Sequence, residues 1–445
     1  MIILGWIFFV IFVLIASFWI FTCLYEHEHT AALRSLLVCF PVAAVLFVSV
    51  LFRFPFQSEW LFLIISGFII AILILNLPFK SPSCLRKDET SSGRVDERDA
   101  LFHRFYRLKS GTAPYAAYYK MHPEFRRWDE MIRRLPGLNS PGTPGYDPVL
   151  SPLSDAFFSS VTKINRNLDP QNIRQLKPDI HEKEISDRLK TLCFELGACM
   201  AGTTRLNPAY IYSHIGRGEG TWGDPVRLNH THAIVIAVEM RHAWIRQAPG
   251  APVIVESART YYVSAKIARF VAHTLQQLGY PARAHVDGNY RVMAIPVAVD
   301  AGLGELGRHG LLITPRFGSR VRLSVVTTSL PLEQDKPITF GVQDFCEICG
   351  RCASVCPSRA ISRQSKSWVR GVEKWQSRQT SCYHFWRQNG TDCGLCIRIC
   401  PYSHPDSILH RLVRQTIQRN PLTRRLAVWA DSLVYGQSRI VQPPG

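Results

Sequence analysis

The sequence predicts a membrane-anchored α/β protein with a separate cysteine-rich module near its C-terminus. Three observations carry that prediction. Long uncharged apolar runs are confined to the first 79 residues, helix-like and strand-like segments alternate from Glu184 onward, and eight cysteines fall in two groups after residue 340. At 445 residues the chain is longer than one ordinary domain requires.

The apolar runs are Met1–Leu24, Ser35–Phe52 and Trp60–Phe79, all without a charged side chain. Each is long enough to cross ~30 Å of hydrocarbon as a helix. Trp6, Tyr25 and Trp60 stand near run ends, where aromatic rings favour the headgroup region, and Pro41 is placed to kink the second run. The first run has neither a basic leader nor a small-residue cleavage site, and no twin-arginine pair precedes it, so residues 1–79 read as a three-helix transmembrane anchor.

Charge separates this segment from the rest. The chain carries 52 Lys and Arg against 34 Asp and Glu, a net of +18. Residues 1–79 hold only Arg34 and Arg53 against Glu26, Glu28 and Glu59, a net of −1, so residues 80–445 carry +19. Arg34, Lys80, Arg86, Lys87, Arg94 and Arg98 flank one side of the expected spans and Arg53 the other. The positive-inside rule then predicts a multi-pass protein of the inner membrane with its large C-terminal part in the cytoplasm. With 47% hydrophobic and 19% charged residues the chain is not a disordered basic tail.

Residues 80–184 read as a polar linker followed by an irregular basic extension, with one helix in HPEFRRWDEMIRRLPG and a long loop in PGLNSPGTPGYDPVLSP. Residues 185–340 read as the α/β core. EISDRLKTLCFELGACMAG is expected to be a helix ending at Gly202, and HAIVIAVEM, VMAIPVAVD, LLIT and VRLSVVTTSL are expected strands. Between Tyr261 and Gly279 the apolar residues Val263, Ile267, Phe270, Val271, Leu275 and Leu278 recur at helical spacing.

The cysteines give the sharpest signal. Cys346, Cys349, Cys352 and Cys356 are spaced C-x2-C-x2-C-x3-C before Pro357, and Cys393, Cys396 and Cys400 are spaced C-x2-C-x3-C before Pro401, with Cys382 eleven residues upstream. Eight thiols are what two cubane clusters need, and the pattern predicts a bacterial two-[4Fe–4S] ferredoxin-like module over residues 341–410. In such modules the cysteine before proline ligates the other cluster. One set is then Cys346, Cys349, Cys352 and Cys400, and the other Cys356, Cys382, Cys393 and Cys396. Zinc ribbons use paired C-x2-C without the fourth C-x3-C-P thiol, and a cytoplasmic chain disfavours disulfides. Cys23, Cys39, Cys84, Cys193 and Cys199 show no ligand spacing and read as plain core or membrane thiols. Residues 411–445 form a basic tail in which Arg alternates with Leu, Val and Ile, suited to anionic lipid or to a packing helix.

The stretch AGLGELGRHGLLITPRFGSRVRL, followed by both cluster motifs, resembles the corrinoid-dependent reductive dehalogenase family over about residues 185–410. The resemblance implies a nitroreductase-like core that binds cobalamin, base-off and without a His ligand to cobalt, a small halogenated organic substrate, and replacement of a carbon-bound halogen by hydrogen. Gly302, Gly304, Gly307 and Gly310 mark the expected cofactor-binding loop, where backbone can approach a large ligand. In the family a Tyr supplies the proton, set at the start of the helix that ends in Leu-Gly-Tyr. Tyr261 is the preferred match, Tyr262 its neighbour, with Arg322, then Arg320, as the cation expected to lower the phenol pKa and Asn289 as a polar pocket residue.

The chain departs from that family in carrying its spans fused to the enzyme, which brings the clusters near a membrane electron donor, either quinol-linked or a flavin or ferredoxin reductase. Two other readings compete. Epoxyqueuosine reductase shares the core and clusters and acts on tRNA, but uses Asp where this chain has Thr260–Tyr261 and is soluble, so a nucleic-acid partner is disfavoured. A membrane ferredoxin relay explains anchor and clusters but leaves residues 185–335 without a purpose.

Overall fold

The computed structural model describes residues 2–51, 83–88, 93–169, 173–174 and 176–436. They form two compact units. One holds Cys84–Thr339 and Gly350–Ser403; the other holds the N-terminal segment with Phe340–Cys349 and the chain from His404 onward.

The larger unit is built on a four-stranded sheet in the order β1 (Met200–Arg205), β2 (His232–Glu239), β6 (Val321–Thr328), β3 (Ala282–His285), every pair antiparallel. Both faces are covered, which is why β2 reads as an unbroken apolar run and not as an alternating one. Ile234, Ile236 and Val238 face one core with Ala265, Ala268, Val271 and Leu275 of the Ala251–Gln277 helix. Ala233, Val235 and Ala237 face the other with Val297 and Ala298 of the Ala294–Asp300 helix.

The expected helix from Glu184 is present but shorter. It spans Glu182–Glu195 and stops where Gly197 takes φ +102°, a conformation that ends helices readily. Gly202, its expected terminus, lies inside β1, where a Cβ would come within 2.3 Å of the Ala301 carbonyl oxygen. The expected strand VMAIPVAVD is instead the Ala294–Asp300 helix. Pro296 explains this: a proline cannot donate to a central ladder but costs little in the first turn of a helix. LLIT and VRLSVVTTSL do supply strands, β5 (Leu312–Ile313), which pairs with β4 (Glu305–Leu306), and β6. The helix predicted from Tyr261 begins ten residues earlier, at Ala251, with Pro252 in its first turn.

The stretch before residue 184 is more regular than its composition implied. Helices span Leu101–Arg107, Ala113–Met121, Pro123–Arg133 and Leu150–Ile164. Arg104 and Asp129 form a fully buried ion pair at 2.8 Å, and Tyr119 donates to the same carboxylate at 2.7 Å. The residues that made the sequence look merely basic are thus in part internal.

In the smaller unit Ile2–Tyr25 and His29–Leu51 form a hairpin of apolar helices, with Pro41 inside the second. Gly5–Tyr25 and His29–Val48 are long and apolar enough to cross a membrane. Leu14, Phe21, Leu37 and Phe40 are each more than 60% exposed. The third expected span, Trp60–Phe79, lies outside the described residues. The expected basic tail is a pair of helices, Ile408–Arg419 and Pro421–Val434, in the same unit as Val342–Cys349.

One buried carboxylate ties stability to pH. Burial alone would raise the pKa of Glu256, but hydrogen bonds from Arg259 and Arg241 outweigh it and hold the value below the ordinary 4.5. A depressed acid stabilises the fold fully above its unfolded value and loses that contribution as pH falls through the folded one. Urea unfolding of Glu256→Gln should therefore show a stability deficit at neutral pH that shrinks as pH drops below 4.5.

Candidate active site

The long helix and β6 bring the two central expected residues together. Arg322 is the second residue of β6, opposite Val238 in the β2–β6 register, and its guanidinium carbon lies 5.3 Å from the ring centre of Tyr261. Tyr261 stands in the third turn of its helix, not at the start. One turn earlier on the same helix face, Ser257 accepts a hydrogen bond from Arg322 Nη2 at 2.9 Å and donates to Asp392. Arg322 Nη2 and Asp392 Oδ2 are 3.6 Å apart. Arg322 Nε is buried and has no hydrogen-bond partner among the described residues.

Arg322 acts on the phenol in the expected direction, but not alone. Burial raises the Tyr261 pKa; Arg322 pulls it down, Asp287 and Asp392 push it up, and the net result is above the ordinary value of 10. Desolvation outweighs the neighbouring cation, so the phenol holds its proton firmly. Asp392 is likewise raised by burial, against Arg322 and Ser257.

The other expected residues separate cleanly. Tyr262 packs on Phe157, ring centres 5.8 Å apart, with Lys266 Nζ 4.7 Å from its ring, away from Arg322. Arg320 is fully buried and bonds to Glu239, to the Met240 carbonyl and to the Ser403 carbonyl. Asn289 is buried, its Oδ1 accepting from Arg283 at 2.8 Å and its Nδ2 donating to the Asn165 carbonyl at 3.0 Å, so both ends of its amide are engaged within the protein.

Close packing accounts for three of the four glycines. A Cβ would meet the Lys336 oxygen at 2.6 Å from Gly302, the Ile313 oxygen at 2.1 Å from Gly304, and the Ile313 side chain at 2.7 Å from Gly307. Gly310, at φ +79°, faces Ser377. A cavity of about 1150 Å³ is lined by Cys356, Arg359, Arg363, Gln364, Gln376 and Arg378. Arg308 braces its wall by donating to the carbonyls of Ser362 and Gln364 at 3.0 and 3.2 Å. The cavity exceeds the ~300–1,000 Å³ typical of small-ligand pockets.

None of the thirteen cysteines is in a disulfide. Cys346 and Cys349 lie on Val342–Cys349, Cys352 on Arg351–Ser354, Cys382 on Gln379–Asn389 and Cys396 on Leu395–Arg398. Cys393 and Gly394 both take positive φ, which makes the tight loop between the last two helices. Burial pushes the Cys382 thiol up to about 12, with Cys396 and Cys356 adding to the shift. Cys396 is also pushed up to about 12 by burial, Cys356 and Cys400, while Arg322 lowers it. Cys393 is driven well above its ordinary value by burial. Thiols buried together in this way become thiolates only beside added positive charge, which a metal core supplies. Among the described residues no three His, Cys, Asp or Glu side chains are gathered closely enough for a single ion; a cube instead takes its thiolates at separate iron corners. Cys193 and Cys199, both at about 12 through burial, are inert core thiols as expected.

Sequence reasoning missed Ser257 and Asp392. Asp392 stands directly before Cys393, and a carboxylate beside a thiolate ligand was the available signal.

Residues 345–404 match the 4Fe-4S dicluster domain family. Over 247 residues the chain is 33% identical to the tetrachloroethene reductive dehalogenase of Dehalobacter restrictus, covering 53% of this chain and 44% of that protein. Over 216 residues it is 32% identical to the tetrachloroethene reductive dehalogenase of Sulfurospirillum multivorans, covering 47% and 43%. Over about half of its length the chain is thus similar to reductive dehalogenases. It spans less than half the length of these relatives. The fold agrees: a catabolic reductive dehalogenase solved with 3-bromo-4-hydroxybenzoic acid superposes with a TM-score of 0.64 at 23% identity, covering 81% of this chain and 49% of that one.

Cys356 is an expected ligand of one of two clusters, and Cys356→Ser should then lower iron to about half. Iron per protein after anaerobic purification checks this, and full iron content would remove Cys356 from the ligand set.

Proposed function

We propose that this chain is a reductive dehalogenase that replaces a carbon-bound halogen by hydrogen, using two [4Fe–4S] clusters and a corrinoid. The observation that carries the proposal is the position of Arg322, which lies over the Tyr261 ring and also bears electrostatically on Cys396. Proton donor and electron carrier thereby share one buried neighbourhood. The reaction consumes two electrons and one proton and releases halide.

The proposed cluster ligands are Cys346, Cys349, Cys352 and Cys400 for one cube and Cys356, Cys382, Cys393 and Cys396 for the other. The cavity beside Cys356 fits a corrinoid in size and chemistry: Arg359, Arg363 and Arg378 suit a phosphate, and Gln364 and Gln376 suit side-chain amides. When bound, the corrinoid supplies a strongly reducing cobalt centre. The chain's own part is proton delivery. Tyr261 keeps its proton until negative charge develops on the substrate carbon, then donates it, and Arg322 stabilises the phenolate left behind. Ser257 and Asp392 position Arg322. Tyr262, packed on Phe157, is not the donor in this scheme.

Where epoxyqueuosine reductase uses Asp, this chain has Thr260, fully buried and donating to the Glu256 and Ser257 carbonyls, which favours the dehalogenase reading. We place the protein in the inner membrane with the catalytic part facing the cytoplasm. The pairing of Glu26, in the turn between the first two apolar helices, with His410 supports a common side for that turn and the C-terminal segment.

With cobalamin available during anaerobic expression, the purified protein should contain cobalt and release halide from an organohalide given a low-potential donor. Tyr261→Phe should cut turnover by about 10²–10⁴-fold with iron and cobalt unchanged. Unaltered turnover would reject Tyr261 as donor, and absence of cobalt would reject the reaction.

A further inference from the structure

The Pro421–Val434 helix carries a feature that the proposed chemistry does not use. Leu422, Leu426, Trp429 and Leu433 recur at i, i+4, i+7 and i+11 and are 51%, 51%, 64% and 41% exposed. They form one apolar stripe on a helix face. The preceding helix adds Ile408 and Leu412, 60% and 54% exposed. A soluble surface rarely leaves such a run uncovered. The opposite face is committed to protein. Thr423 and Arg424 are buried, Arg424 donates to the Ile417 carbonyl at 2.9 Å, and it pairs with Asp344 at 3.3 Å.

What covers the stripe follows from where the helix is fastened. Val434 and Tyr435 pack on Trp19, Ile20, Cys23, Ala31 and Ala32, at the closed end of the apolar helical hairpin. A polar joint fixes that junction. His410 Nε2 lies 3.1 Å from Glu26 Oε2 and 3.1 Å from the Tyr435 hydroxyl, His404 Nε2 lies 2.6 Å from Asp431, and the His404 and His410 rings stack at 4.7 Å. Glu26 directly follows the first apolar segment, Gly5–Tyr25. The helix is thus fastened at the level where the spans end, which is the level of the lipid headgroups. Its composition suits that level: an exposed Trp within a leucine stripe, flanked by Arg425 and by Arg411 of the neighbouring helix.

The geometry points to the C-terminal helical pair as an interfacial membrane element, lying with its Leu422–Leu433 stripe in the boundary between headgroups and acyl chains of the same bilayer that the N-terminal helices cross. This rests on the membrane-anchored reading and adds a second, independent attachment to it.

The test uses the full-length protein in nanodiscs of phosphatidylcholine and phosphatidylglycerol containing a lipid with a photoreactive diazirine high on its acyl chain, with labelled residues mapped by mass spectrometry. Labels are expected on Leu422, Leu426, Trp429 and Leu433 as well as on residues 2–51. In Leu426→Glu/Trp429→Glu the labels on the C-terminal pair should be lost while those on residues 2–51 and the iron content stay unchanged. Labels confined to residues 2–51, with a water-soluble diazirine reaching Trp429, would place the stripe in water and overturn the inference. Protection from both reagents would mean that a protein surface, a second copy or another partner, covers it, and would overturn it equally. No lipid label on either segment would reject the anchored reading itself.

Discussion

A guanidinium withdrawn from water needs partners, and the way Arg322 finds them organises the larger unit. Its backbone is fixed at the start of β6 by pairing with β2, so its position is set by strand register and not by a loop. From there it reaches Ser257 and Tyr261 on the long helix and Asp392 beside the cysteine loop. Three segments far apart in sequence are held to one charge. Rigid support of this kind is what a site needs if its electrostatics are to be in place before reaction begins.

The same burial sets the protonation of everything around it. Tyr261, Asp392, Cys393 and Cys396 are all acids, and desolvation is the largest cause of the upward shift in each. Local positive charge and hydrogen bonds oppose it: Arg322 for Tyr261, Asp392 and Cys396, Ser257 for Asp392, and the Leu395 and Ile397 backbone N–H groups for Cys393 and Cys396. One low-dielectric region therefore favours the neutral form of the phenol, the carboxyl and the thiols alike.

The sequence was most legible where one residue type performs one task. Cysteine spacing identified the dicluster module, and the β2 run identified a strand. Pairing Tyr261 with Arg322 depended on resemblance, because their proximity comes from a helix lying over a strand sixty residues away. Local reading failed where tertiary structure decided between options that composition leaves equal. The segment VMAIPVAVD is apolar enough for a strand, and Pro296 was the only local sign of a helix. The Arg- and Tyr-rich stretch before residue 184 looked irregular because its order comes from buried pairs such as Arg104–Asp129. Ser257 and Asp392 stayed hidden since their contact joins positions 135 residues apart.

The smaller unit poses the opposite problem, hydrocarbon outside and charge inside. Its apolar helices expose Leu, Phe and Val around most of their surface, whereas Glu26 at their closed end is buried. A lone carboxylate there would be costly; His410 pairs with it, and the Tyr435 hydroxyl in turn engages the His410 ring. Those partners come from the two C-terminal helices, one of which also fastens the Val342–Cys349 helix through Arg424 and Asp344. The carboxylate directly after the first apolar helix is thus paired only where the C-terminal helices are seated on it. Seating them there also fixes the helix that bears Cys346 and Cys349, so within this unit two expected cluster thiols take their position from the end of an apolar helix.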